Sequence, residues 1–96
     1  MTRFALGRAA RLDLKEIGRF SRAHFGLEVA KDYLRGFAIE FARLAQYPES
    51  APLRPDFGDN VRCKVYRSHR ILYQTTGAGI RVVRILHHAQ SVPDKF

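Results

Sequence analysis

Two periodicities divide this chain. From Arg8 to Gln46 the apolar residues recur at helical spacing, and from Val61 to His88 they alternate at strand spacing. The spacing predicts a first helix from about Arg8 to Phe25, with Ala10, Leu14, Ile17, Phe20 and Ser21 on one side. Gly26 is its stop, since glycine takes left-handed backbone without strain. A second helix runs from about Leu27 to Gln46, with Leu27, Ala30, Leu34, Phe37, Phe41, Leu44 and Ala45 in one stripe. Burying Leu34, Phe37, Phe41 and Leu44 contributes on the order of 6–12 kcal/mol before entropy is subtracted. Gly36 sits inside this helix at about 1 kcal/mol relative to alanine. Pro48 ends it, and the short link makes the pair an antiparallel hairpin.

Strands follow a surface loop from Pro48 to Asn60. In the first, Val61, Cys63 and Val65 face one way, expected to be the core, and Arg62, Lys64 and Tyr66 the other. Arg67-Ser68 makes a tight turn, and Thr76-Gly77-Ala78-Gly79 the next. The last strand reads as central, with Ile80, Val82 and Leu86 on one face and Val83 and Ile85 on the other. Arg3–Leu6 is a weakly strand-like start. The expected fold is α+β: a short N-terminal strand, an antiparallel helical hairpin, then a three-stranded antiparallel sheet. Residues 1–96 form a single domain with one modest core.

Charge adds a direction. Lys plus Arg number 17 against 9 Asp plus Glu, a formal charge of +8. Such an excess favours a polyanion or an acidic protein partner. One cysteine, Cys63, excludes an internal disulfide and a multi-cysteine zinc site. No secretory leader and no membrane-length apolar run is found, so a cytosolic location is expected.

Alternation places Arg62, Lys64 and Tyr66 on an open sheet face, with Arg70 entering the next strand. Strand parity adds Arg81 and His87 to one side and sets Arg84 opposite. Cations so grouped repel one another and call for an anion between them, a phosphate or a partner carboxylate. On the first helix Arg8, Arg11, Lys15, Arg19 and Arg22 fall within an arc of about 80°. Leu12 lies inside that basic stripe, and Ile39 sits on the polar side of the second helix near Arg35 and Arg43. Both suit a partner surface. His87 and His88 point opposite ways as strand neighbours, and His24 and His69 lie elsewhere, so no metal site is expected.

The order of elements, with the segments ARLDLKEIGRF, FARLAQYPESA, SHRILYQT and IRVVRILHH, resembles the RelE/ParE superfamily of bacterial toxins. The "RILH" after a glycine-containing turn looks most like the ParE branch. RelE-like members cleave messenger RNA on the ribosome, and ParE-like members poison DNA gyrase. The cleaving members use a basic pair on the first strand after the hairpin, an arginine on the next, then an arginine and usually a tyrosine beyond the last. Arg62 and Lys64 match the pair and Arg70 the next arginine. Ala89 falls where the later arginine would stand, and no tyrosine follows Tyr73. An aspartate common a few residues after the ParE histidine is also missing. Ser91 sits near its place and Asp94 comes later.

The resemblance therefore implies a ParE-like toxin that is not an enzyme, has no cofactor, metal or catalytic residue, and inhibits DNA gyrase. Arg62, Lys64, Arg70, Arg81, His87 and His88 are its target-contact candidates. The alternative is a RelE-like ribosome-dependent endoribonuclease working through Arg62, Lys64, Arg70, Arg81 and His87, and a third is a module whose sole partner is an antitoxin. All three imply a cognate ParD-like antitoxin with an acidic C-terminal segment, partly disordered when free, joined in a hetero-oligomer. Arg8, Arg11, Leu12, Lys15, Arg19, Arg35 and Ile39 are the candidates for binding it.

Overall fold

A computed structural model describes residues 3–93; Asp94 lies outside them. Strand β1 (Arg3–Leu6) leads into helix α1 (Arg8–Phe25), then α2 (Leu27–Gln46). A single 3-10 turn at Pro55–Phe57 precedes β2 (Arg62–Tyr66), β3 (His69–Thr76) and β4 (Gly79–His87). Both helices begin and end as the hydrophobic periodicity predicts. Gly26 alone joins them, with φ of 91°, a conformation that favours glycine.

β2, β3 and β4 form the expected antiparallel meander. The N-terminal strand adds to it in parallel with β4, giving a four-stranded mixed sheet of order β1-β4-β3-β2. β4 is thus interior, as its two apolar faces predict.

Its faces are not those of simple alternation. Val82 pairs with Tyr73 and Arg84 with Leu72, which leaves Val83 without an opposite residue. This bulge changes the parity of β4 along its length. Ile80, Val82 and Ile85 therefore join the core under the helices, while Leu86 belongs with Val83 on the other side. The grouping of Ile80, Val82 and Leu86 on one face is corrected accordingly.

The main core packs Phe37, Phe41 and Leu44 of α2 against Ile71, Tyr73, Ile80, Val82 and Ile85. The outer sheet face is apolar too. Val61, Cys63, Leu72 and Leu86 form a second cluster, covered by Phe57 from the 3-10 turn and Val92 from the tail. Cys63 is buried as expected, but in this outer layer, where burial pushes its thiol pKa up and keeps it unreactive. Consequently Arg62, Lys64 and Tyr66 face the helical side. Tyr66 packs its ring on Phe37 at 4.9 Å. The expectation that these three share an open face is overturned because the loop and tail cover the other side.

Both sheet edges are managed. The segment Pro52–Arg54 runs along β2, with Arg54 N donating to Val61 O at 2.7 Å and Cys63 N to Pro52 O at 3.2 Å. Where β1 stops, α1 takes over the edge of β4. Asp13 accepts from Ile85 N at 2.9 Å and pairs with Arg84 through two bonds of 2.7 and 3.0 Å. Two residues expected in the core are largely outside it: Phe20 is 58% exposed and Leu27 46%. No described helix is long and apolar enough to cross a membrane.

Candidate functional site

The six target-contact candidates do not converge. Arg62 and Lys64 lie on the helical side of β2, since Lys64 pairs with Ile71 of the main core. Arg62 donates through Nη1 to Ala51 O at 2.7 Å, which ties it to the loop. Arg70 pairs with Val65 and Leu86, so it occupies the outer face. There it donates to Gln90 O and lies over the Phe57 ring at 5.8 Å. Arg81 is exposed on the same outer face, opposite Gln74 and beside Val83. His87, beyond the bulge, is on the helical side. The parity that grouped Arg81 with His87 fails because one extra residue intervenes. His88 is exposed, with its ring nitrogen against Ser68 O at 3.2 Å. Arg84, in its turn, is spent on Asp13.

Two sites result. On the outer face, Arg70 and Arg81 flank a cluster of apolar residues, and Arg54 stacks on Phe57 at 4.0 Å while holding Asp56 at 2.8 Å. The Nε atoms of Arg62 and Arg70 are buried without a hydrogen-bond partner among the described residues. Both Nε atoms are closed off from solvent, and on the outer face the Arg70 guanidinium shares a shallow hollow with the Asp56 carboxylate.

On the helical side, an open groove of about 710 Å³ lies between the hairpin tip and the ends of β3 and β4. Ile17, Phe20, Phe25 and Val29 form its apolar wall, and Tyr33, His69 and His87 its polar floor. Phe25 is 63% exposed and Val29 50%. Tyr33 Oη lies 3.1 Å from His69 Nδ1, and the His69 and His87 rings are 5.5 Å apart, edge to face. Burial, with His87 and His88 nearby, holds the His69 pKa below its ordinary 6.5. Burial likewise raises that of Tyr33. Of the seven wall and floor residues, only His87 is a candidate from sequence; Ile17, Phe20, Phe25, Val29, Tyr33 and His69 are not. Counting back from the Gly77-Ala78 turn would set His69 opposite Leu86; the bulge sets it opposite His87.

The basic stripe is as predicted. Arg8, Arg11, Lys15, Arg19 and Arg22 are exposed along α1, and Arg35 on α2. Arg19 and Arg35 bond their own helix neighbours Glu16 and Asp32, pairs that contribute little at a surface. Leu12 and Ile39 are 59% and 65% exposed. Leu12 lines a hollow with Gly7, Arg81 and Val83, apart from the groove.

The family described as "ParE toxin of type II toxin-antitoxin system, parDE" matches residues 5–92. The chain belongs to the ParE toxin family. Toxin ParE1 of Caulobacter vibrioides is 30% identical over 95 residues, spanning 95% of this chain and 94% of that protein. Toxin ParE1 of Mycobacterium tuberculosis is 32% identical over 92 residues, 95% of this chain and 94% of that one. Among solved structures, the chromosomal ParDE system of P. aeruginosa superposes with a TM-score of 0.76 at 21% identity, over 91% of this chain and 96% of that chain. The M. tuberculosis RelBE2 toxin–antitoxin complex superposes at 0.62 and 19% identity, over 91% and 98%. These two similarities establish the shared fold. The ParE family assignment makes this chain a type II toxin, and its RelE/ParE architecture is the one its sequence resembles.

Proposed function

We propose that this ParE-family toxin arrests growth by binding DNA gyrase, without cutting a nucleic acid, and is neutralised by an antitoxin segment lying along the helical hairpin. One observation carries the non-enzymatic reading: Arg62 and Lys64 are on one side of the sheet and Arg70 and Arg81 on the other. Cleavage through a 2′-hydroxyl needs a base, an acid and charge stabilisation around one phosphorus. A sheet between the cations denies them a common phosphate. Ala89 supplies no further cation beyond the last strand.

The outer face suits a large protein target. Arg70 stands there beside exposed Val65, and Arg81 is exposed farther along the same face beside Val83; arginine beside apolar surface is the composition of an interface centre. The hairpin suits the antitoxin. It carries an apolar groove and, on a different side of α1, the basic stripe, which together complement a segment bearing both apolar residues and carboxylates. The similar structures from P. aeruginosa and M. tuberculosis are themselves toxin–antitoxin systems.

Expression of this chain in cells tests the reading. Growth arrest with induction of the DNA-damage response and intact messages is expected. Arrest with messages cut at the ribosome, and no DNA damage, overturns it.

A further inference from the structure

Beneath the apolar groove lies a group of imidazoles that docking alone does not use. His69 and His87 are cross-strand partners with rings 5.5 Å apart, and the His88 ring lies 4.2 Å from that of His87. The groups facing them come from every neighbouring element. From α2 comes Tyr33, hydrogen-bonded to His69. From the β2–β3 hairpin come Tyr66 and Arg67, whose guanidinium lies 5.5 Å over the Tyr33 ring. From α1 come Glu16, at the rim and held by Arg19 at 3.5 Å, and His24, stacked on Phe20 at 4.0 Å. From the tail comes Gln90, whose side-chain oxygen accepts from His87 N at 2.7 Å. Glu16 is the one carboxylate among the groove's described lining residues, and it already has a partner. Nothing there compensates a charge on the pair.

We infer that this groove is a pH-gated docking site, which holds the apolar side of an antitoxin segment while His69 and His87 are neutral and loosens it when the pair takes up a proton. The inference rests on the reading that the antitoxin lies along the hairpin. Apolar side chains laid over the pair remove the water that would solvate an imidazolium, so the neutral form binds better. The complex then holds fewer protons than the free toxin, and linkage makes affinity fall as pH drops. For His69 the window lies below the ordinary histidine value of 6.5, because burial and the neighbouring imidazoles already disfavour its charged form. An antitoxin carboxylate placed against the pair would reverse the sign.

The test uses Nile red, a neutral apolar dye, titrated with the purified toxin at pH 7.5 and 5.5, with circular dichroism confirming the fold at both. Affinity is expected to fall about three- to tenfold at the lower pH. The difference is expected to vanish in the double variant His69→Gln/His87→Gln. Equal or tighter binding at pH 5.5, or a pH effect that survives in the double variant, overturns the inference. Proton NMR of the wild-type imidazoles is a second readout independent of any variant. The His69 titration is expected below the ordinary range, and an unshifted His69 titration contradicts the gate. Co-purification of the antitoxin with Phe25→Asp tests the underlying reading separately. Loss of the antitoxin supports the groove as its seat, whereas full retention overturns that seat whatever the dye reports.

Discussion

The hydroxyl of Tyr66 fills the place where a side chain at Gly36 would begin. A glycine inside a helix weakens it, and the sequence gives no reason for this one. The reason is tertiary: α2 crosses β2 here, and the Tyr66 ring packs on Phe37 one residue away. Gly36→Ala is expected to gain less than its helix propensity alone would give, or to destabilise by up to about 1 kcal/mol, because the Tyr66 hydroxyl must swing aside. In a Tyr66→Phe background the nearest remaining atom is Cζ at 3.5 Å, an ordinary contact. There the same change is expected to be neutral or to stabilise by up to about 1 kcal/mol. Urea denaturation of the four proteins of the cycle measures the coupling.

Asp13 carries two tasks, pairing Arg84 and satisfying Ile85 N at the edge that β1 leaves open. Asp13→Ala strands a largely buried guanidinium and an orphaned amide, and a loss of about 2–4 kcal/mol is expected. Asp13→Asn keeps an acceptor and is expected to lose less. Thermal melts of the two variants check the order.

Stability is expected to respond to acid through His69. Burial holds its pKa in the folded chain below 6.5. The unfolded chain therefore takes up the proton first as pH falls, and stability present above about 6.5 is lost below it. Urea midpoints at pH 7.5 and 5.5 should differ more for the wild type than for His69→Gln. Equal pH responses would contradict this account.

The element boundaries were legible because each is set locally. Gly26 and Pro48 stop helices, and the Arg67-Ser68 and Gly77-Ala78 turns fix hairpins. The faces of the sheet were not. Alternation in β2 separates Cys63 from Lys64 but cannot say which side the helices take, once Phe57 and Val92 cover the other. One unpaired residue, Val83, then reversed the parity that placed Arg81 with His87. Phe20 has the spacing of a core residue, yet it falls where the hairpin tip projects past the sheet. The parallel pairing of β1 depends on a partner some seventy-five residues away, which four residues cannot encode. The basic stripe, Leu12 and Ile39 were legible because amphipathic periodicity assigns a helix's outer face directly.

Leu12 and Ile39 are exposed on the two helices of the hairpin. Leu12→Asp and Ile39→Asp are each expected to leave the melting temperature within a degree or two, as surface substitutions do. Each is also expected to weaken the antitoxin complex by roughly tenfold or more, since a carboxylate would face an apolar and acidic segment. Calorimetric titration with the antitoxin measures this. Unchanged affinity removes that residue from the interface.

The central claim, a toxin that grips gyrase and cuts nothing itself, meets its most direct test with purified gyrase and relaxed plasmid. At micromolar toxin the predicted result is lost supercoiling, with linear DNA released after protein digestion. Arg70→Ala/Arg81→Ala is expected to weaken both effects by an order of magnitude or so, as for removal of interface anchors. Full supercoiling with no trapped breaks at that concentration would contradict the account.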